Sequence, residues 1–234
     1  MFLSRRTTQA EYFDSERPLP ELAEFFDALG KINRFFVFAE PFQRYLPRLL
    51  EEPQPQKVSI LDIGAGDGLL GRTLSEWSAR RGWNWQVTHL DVCLAALNLN
   101  SSSPRVAASA LALPFRDNSF DIVIASQMTH HLTDLQVRQS LRESWRVARQ
   151  GVVICDLHRN VGLYGLLWLF FQVRRYPRSF REDALLSVKR SWRLQELRRL
   201  ANEAGMDNAE AKLYFGTRVV LQARKAKTAA RIGG

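Results

Sequence analysis

A chain of 234 residues, 46% hydrophobic, can bury one sizeable core and makes no more than two domains. Its two cysteines, Cys93 and Cys155, exclude a disulfide framework and a metal-ligand spacing and suit a reducing cytoplasm, and Met1-Phe2-Leu3-Ser4-Arg5-Arg6 lacks the apolar core and cleavage site of a signal peptide. The net charge of +9 is uneven: residues 1–173 hold 18 basic and 18 acidic side chains, whereas 174–234 hold 15 and 6. Such a basic quarter is either a footprint for phosphate backbones or anionic lipid or, as the simpler reading, a solvated arginine-rich face with a basic tail.

Taken in chain order, residues 19–29 and 31–50 place aromatics and leucines at helical intervals (Leu22, Phe25, Phe26, Leu29; Phe35, Phe38, Phe42, Leu46), interrupted at Pro41 and Pro47. They predict an N-terminal helical cap over 1–56, closed by a linker at Pro53 and Pro55. Residues 58–63 then read as a buried parallel strand that runs into Gly64-Ala65-Gly66-Asp67-Gly68 and a helix near 68–81. Three alternating glycines allow backbone torsions closed to other residues and leave no Cβ between the main chain and a nucleotide cofactor. Gly66-Asp67-Gly68-Leu69-Leu70-Gly71 also satisfies the dinucleotide pattern G-x-G-x-x-G, but that pattern begins directly after its strand. Counted from Gly64, its third glycine falls on Leu69.

The letters that do fit are acid-x-Gly-x-Gly-x-Gly with Asp62 as the acid, and here the chain resembles the class I S-adenosylmethionine-dependent methyltransferases. Further along, Val87-Thr88-His89-Leu90-Asp91 is a second strand ending in a carboxylate that can accept both ribose hydroxyls of an adenosine. Ala110 to Asp121 is similar to the D-A-x-x-L-P-F-x-D-x-S-F-D segment of the branch that methylates small molecules, including the quinone-biosynthesis enzymes. One letter departs: Ser109 stands where that pattern has an aspartate near the adenine amino group, so a hydroxyl or the main chain at Ala110 and Leu111 would make that contact. Asp121 to Ser126 reads as the fourth strand, and Gln127 to Leu132 resembles the segment flanking the transferable methyl. The resemblance implies S-adenosyl-L-methionine as cofactor, held by Asp62, Gly64, Ala65, Gly66, Asp67, Gly68, Asp91, Val92, Ser109, Ala110, Leu111, Ser126 and Gln127. No Asn/Asp-Pro-Pro-aromatic cluster follows the fourth strand, which argues against methylation of a base amine, and Cys155 lies inside an apolar run as an inert buried thiol.

Strands at 105–109, 120–126 and 151–156 alternate with helical patterns near 93–100 and 134–149. A helix over 192–204 stops at Gly205, and 208–224 reads as an antiparallel pair of strands around Gly216. The expected fold is therefore α/β: a Rossmann-like, seven-stranded, mostly parallel sheet with an antiparallel last strand and helices on both faces. The methyltransferase domain would occupy 57–225, with a helical substrate cover near 160–192 and a basic tail over 226–234.

Val161 to Val173 holds no charge and ends at Arg174-Arg175. A bilayer takes about 20 residues to span, so this helix is too short and must be buried or lie against something greasy. It can wall a lipophilic acceptor pocket with Tyr164 and Trp168, pack as plain core or dimer contact, or touch a membrane peripherally. For a hydroxyl acceptor a base is needed, and His131 or His158 is favoured over His130. Asp156 and Arg159 either orient that base or a substrate oxygen, or pair as ions that pin their loop.

The resemblance implies methylation of a hydrophobic small molecule, most simply on the oxygen of a phenolic, polyketide-like or quinone-like acceptor. Leu29 to Arg34 and Leu186 to Trp192 are similar to methyltransferases found beside polyketide pathways. An RNA methyltransferase and a non-catalytic cofactor-binding partner are the alternatives. The expected protein is a cytoplasmic monomer or homodimer without a metal, a transmembrane segment or a nucleic-acid partner.

Overall fold

The computed structural model describes residues 3–50, 57–99 and 104–226; the linker at Pro53 and Pro55 and the basic tail from 227 onward lie outside the described residues. Seven strands, β1 (Lys57–Ile63), β2 (Asn84–Asp91), β3 (Arg105–Ala107), β4 (Phe120–Ser126), β5 (Ala148–Leu157), β6 (Glu210–Tyr214) and β7 (Arg218–Arg224), form one sheet in the order β3-β2-β1-β4-β5-β7-β6. Neighbours from β3 through β5 pair in parallel, and β7 runs antiparallel to both β5 and β6. Strand order reverses between β1 and β4, so a crevice opens at their carboxyl ends, where open α/β sheets take their ligands.

The central strands are apolar on both faces, and alternation sorts their side chains into two cores. Leu61, Val123 and Ile154 face Val137 and Leu141 of α5 (Asp134–Val147) and Leu197 and Leu200 of α8 (Leu194–Glu203). Ile60, Ile124 and Val153 face Phe42 and Leu46 of α2 (Glu40–Leu49) and Leu70 and Leu74 of α3 (Leu69–Ala79). Each fully buried aliphatic or aromatic side chain here contributes roughly 1.5–3 kcal/mol relative to exposure.

The helices before β1 divide their roles. α1 (Leu19–Phe35) runs unbroken through Gly30, and the break falls at Phe36–Ala39 rather than at the prolines. Pro41 sits in the first turn of α2, where a missing N–H costs little, and Pro47 lies inside the same helix. α2 is a layer of the sheet, whereas α1 packs with α6 (Val161–Val173) and α7 (Arg178–Arg190) in a third apolar cluster. A short helix, α4 (Leu94–Asn98), completes the set.

α6 begins at Asn160, whose side chain accepts from the Leu163 N–H. Only Leu163, Leu167 and Phe171 are buried, one stripe at helical spacing. Leu166, Trp168, Leu169 and Val173 are exposed, so the helix is apolar all round yet half solvated.

β5 is tightly clasped by β7 at Gly151, where an added Cβ would lie 2.5 Å from the Ala223 carbonyl oxygen, which cannot step aside without breaking the ladder. Gly151→Ala is therefore expected to destabilise the fold by about 1–3 kcal/mol, read as a lowered midpoint in urea with an unchanged slope.

Candidate active site

The loop after β1 is held from the end of β2. The Gly64 and Ala65 N–H groups both donate to the Leu90 carbonyl, at 2.8 and 3.1 Å, and the Gly66 N–H donates to Asp91 Oδ2 at 2.8 Å. The other Asp91 oxygen accepts from the Cys93 N–H at 2.8 Å. This clasp requires φ of +68°, +56° and +77° at Gly64, Gly66 and Gly68, the left-handed region that glycine enters without strain. The glycines also admit close neighbours: a Cβ on Gly64 would lie 2.3 Å from Met128 Cγ, and one on Gly66 2.5 Å from Phe26 Cε1. Gly71 has a separate reason to lack a side chain, because a Cβ there would strike His89 Cε1 at 2.1 Å. That packing of α3 on β2 explains the accidental dinucleotide pattern.

Beneath the loop, Asp62 and His89 are register partners on β1 and β2, each 1% exposed, with Oδ2 and Nδ1 3.6 Å apart. Burial pushes the Asp62 carboxyl above the usual range, against the pull of His89, and Asp62 Oδ2 finds no hydrogen-bond partner among the described residues. Asp67 is turned aside: its carboxylate meets Arg72 Nη2 at 3.1 Å and accepts from the Leu69 N–H. Ser109 accepts from the Leu111 N–H at 3.1 Å, so its hydroxyl closes a local turn. The Ala108 N–H donates to the Asp91 carbonyl, which brings Ser109, Ala110 and Leu111 to the same strand ends. Val92 stands 79% exposed beside them. An acidic strand end, a Cβ-free turn and an under-bonded buried carboxylate below it fit a nucleoside with a cationic amino-acid arm.

Beside the loop lies a cavity of about 90 Å³ under the cover helices. Phe25, Leu29 and Ile32 of α1, Leu163 and Leu167 of α6 and Phe180 of α7 form its apolar wall, while Glu11, Asp183 and Ser187 bring polar groups. The two spaces share walls. Phe25 lines the cavity while Phe26 presses on Gly66, and Gln127 lines the cavity while Met128 presses on Gly64. Gln127, expected at the cofactor, thus faces the second space, at a φ of +50° with its side chain donating to Asn33 Oδ1 at 2.9 Å. Ser126, just before it, closes β4 at the same strand ends.

At one edge of the cavity a chain of buried polar groups begins. Asp156, fully buried, lies 2.7 Å from His130 Nδ1 and accepts from the Thr129 hydroxyl at 2.5 Å and the His130 N–H at 3.0 Å. Burial alone would raise its carboxyl, but the His130 ring and these hydrogen bonds outweigh it and hold it below the usual range. His130 Nε2 faces Glu11 Oε1 at 3.8 Å. Burial pushes Glu11 up to about 7, moderated by His131, the Ser187 hydroxyl and Arg190.

The N-terminal segment is strapped to α7 by the same groups. Asp183 accepts from the Tyr12 and Phe13 N–H groups at 2.8 and 3.1 Å, and Arg190 pairs with Asp14 and lies 3.6 Å from Glu11 Oε1. Glu11, His130 and His131 bring one ligand atom each within 4.8 Å of one another, a spacing a divalent ion could bridge. The Arg190 guanidinium stands beside them, and their hydrogen bonds run to separate partners: Ser187 to Glu11, Asp156 to His130 and Asp14 to His131.

The other candidates fall elsewhere. His131 Nδ1 is 2.6 Å from Asp14, with its side chain partly exposed. His158 lies outside the cavity wall, 3.0 Å from the Asn160 amide nitrogen and 3.4 Å from the Gly216 carbonyl, and burial lowers its pKa. Arg159, 2% exposed, donates to Glu196 and to the Ser191 carbonyl, both at 2.6 Å, and so is an ion pair pinning its loop. Trp168 points outward at 51% exposure and Tyr164 packs under Lys189; Leu163 and Leu167 wall the cavity in their place. Sequence reasoning missed Glu11, Asp14, Asp183 and Arg190, since no local pattern marks partners 170 or more residues apart.

A protein family described as "Methyltransferase domain" matches residues 61–155. A demethylmenaquinone methyltransferase of Roseiflexus sp. (strain RS-1) is 32% identical over 171 residues, 70% of this chain and 68% of that protein. One from Corynebacterium urealyticum is 33% identical over 144 residues, 58% of each chain. The ubiquinone/menaquinone biosynthesis C-methyltransferase UbiE of Rickettsia felis is 27% identical over 57% of this chain and 56% of its own. The chain thus spans between about half and two thirds of these curated relatives' length. Among solved structures, human N-acetylserotonin methyltransferase in complex with SAM superposes with a TM-score of 0.62 at 16% identity, covering 95% of this chain and 63% of that one. A structure from Nostoc punctiforme gives 0.55 at 19%, covering 80% and 57%, and both likenesses concern the fold.

Because Glu11 binds its proton more tightly folded than unfolded, stability it contributes is fully present below its ordinary value of 4.5 and is lost as pH rises through about 7. The difference in melting temperature between wild type and Glu11→Gln should therefore move against wild type across that window, as followed by circular dichroism at stepped pH.

Proposed function

The chain belongs to the class I S-adenosylmethionine-dependent methyltransferases, and we propose that within this family it methylates a lipophilic phenol or quinol, most simply on oxygen. What carries the reading is the line Asp156–His130–Glu11 at the edge of an apolar cavity that shares its walls with the glycine loop. S-adenosylmethionine supplies a methyl group on a sulfonium that is already a strong donor, so positioning, water exclusion and removal of one proton are what remain for the protein.

Asp91 and the turn Gly64–Gly68 would hold the nucleoside, with the Asp91 oxygens offering their remaining lone pairs to the ribose hydroxyls. Asp62 lies below as the buried countercharge for the amino-acid arm. The aromatic and leucine walls from α1, α6 and α7 would seat an apolar ring and keep water out. Glu11, the titratable group on that wall with a value of about 7, accepts the hydroxyl proton; the His130 ring stands 3.8 Å from it and is held in place by Asp156.

Removing the hydroxyl proton also makes the ring carbon beside it nucleophilic, and a relative named as a C-methyltransferase favours that second reading. The basic C-terminal quarter lends less support to an RNA substrate, because Arg190 and Arg218 are buried and Arg178 and Arg199 are paired, with Glu182 and with Asp134 and Glu203.

Glu11→Gln and His130→Asn should each lower kcat by about 10²-fold with hydrophobic phenols or quinols, leaving S-adenosylmethionine affinity within about twofold. In wild type kcat/KM should rise toward a plateau above pH 7, and this limb should vanish in Glu11→Gln. Carbon NMR of the methylated product separates oxygen from ring carbon, and turnover of tRNA but of no phenol or quinol would refute the assignment.

A further inference from the structure

We propose that the exposed side of α6 and the end of α1 dock the protein on an anionic phospholipid surface, which sets the apolar cavity one helix away from the bilayer. Leu169 and Val173 are 58% and 77% exposed, and Trp168 and Leu166 stand beside them at 51% and 44%. Solvated apolar residues scattered singly need no explanation, but a helix whose solvent face is mostly apolar does. Phe35, 58% exposed, reaches this helix by ring contact with Phe170 at 5.3 Å. The hairpin tip carrying Phe215, 78% exposed, is tied to its first turn by the Asn160 amide, which donates to the Gly216 carbonyl at 3.0 Å. Three elements thus bring apolar groups to one side of the cover.

The rim of this surface selects the occupant. Arg174 and Arg175 follow α6 directly and are exposed, and they share a groove with Lys31, Phe35 and Glu24. Lys31 and Arg178 are paired within their own helices to Asp27 and Glu182, so the positive excess rests on Arg174 and Arg175. Anionic headgroups complement them, while the apolar side chains reach the acyl boundary beneath. α6 is about 20 Å long, which lets it lie in the interface but not cross it. No helix among the described residues is long and apolar enough to cross a membrane.

The opposite side of α6, through Leu163 and Leu167, walls the cavity. If the acceptor is lipophilic, as proposed above, one helix then separates bilayer from acceptor site, and docking holds the cavity close to where such a molecule dissolves.

Flotation of the full chain with vesicles of phosphatidylcholine alone, or of equal parts phosphatidylcholine and phosphatidylglycerol, tests the idea. Binding to the mixed vesicles should exceed binding to the neutral ones by at least about tenfold and weaken with salt. Leu169→Glu/Val173→Glu and, separately, Arg174→Glu/Arg175→Glu should each lose it by a similar factor while S-adenosylmethionine titrations stay unchanged. Failure of wild type to float with anionic vesicles overturns the proposal, as does wild-type flotation by both variants. So does a wild-type dimer in sedimentation that Leu169→Glu/Val173→Glu makes monomeric. Turnover of a water-soluble phenol, read in parallel, separates the two ideas: its absence from a protein that still floats refutes the acceptor reading and leaves the docking surface standing.

Discussion

Two residues at the end of β2 govern the site: the Leu90 carbonyl takes two N–H groups of the loop after β1, and the Asp91 carboxylate takes a third. Three left-handed glycine torsions are stable together because these acceptors fix the backbone between them. Parallel pairing of β1 with β2 places the acceptors at the height where the loop leaves its strand. Everything that approaches the loop, Phe26 from α1 and Met128 from the end of β4, uses the space that missing Cβ atoms leave. The sheet therefore acts on function through register: a slip of one residue between β1 and β2 would turn Asp91 to the opposite face and release the turn.

The cover is tied to this frame by charge as well as by apolar packing. Glu11, Asp14 and Asp183 from two distant segments meet Arg190, His130 and His131, and Arg6 lies over the Trp192 ring at 3.5 Å. Buried charges of this kind add little net stability when complete, yet removing one partner strands the other at a cost of several kcal/mol. Such a network specifies where the N-terminal segment lies against α7, and so places Glu11 on the cavity wall. The same burial that makes Glu11 expensive to ionise gives it a proton affinity suited to work near neutral pH.

Much of this was legible in the chain because it is local. The strand-loop-helix from β1 to α3, the carboxylate ending β2 and the antiparallel pair around Gly216 each carry their own periodicity or turn chemistry. β2 and β5 begin earlier than the apolar runs suggest, at Asn84 and Ala148, since Asn84 pairs with Lys57 and Ala148 with Phe120 ahead of those runs and the Trp77, Trp83 and Trp85 rings pack at the start of β2. The candidate proton-transfer groups were less legible. His131 and His158 have the same sequence credentials as His130, and only Asp156, 26 residues away, distinguishes the buried one. Glu11 is one of three closely spaced acids, with Asp14 and Glu16, until the fold brings α7 beside it. The apolar stretch of α6 announced that something greasy must meet it, but which half stays uncovered depends on α1 and α7 packing against the other half.

The crevice at the glycine turn, the apolar cavity and the exposed apolar cover follow one another across the top of the sheet, separated by single layers of side chain. Their order depends on the turn at Gly64–Gly68 holding a sulfonium nucleoside. Calorimetric titration with S-adenosylhomocysteine tests this directly, with Gly66→Ala as the control in which an added methyl meets Phe26 and the left-handed torsion is penalised. The account predicts a single saturable site in wild type and loss of measurable heat in the variant. A flat wild-type titration, or equal affinity in both proteins, would contradict it.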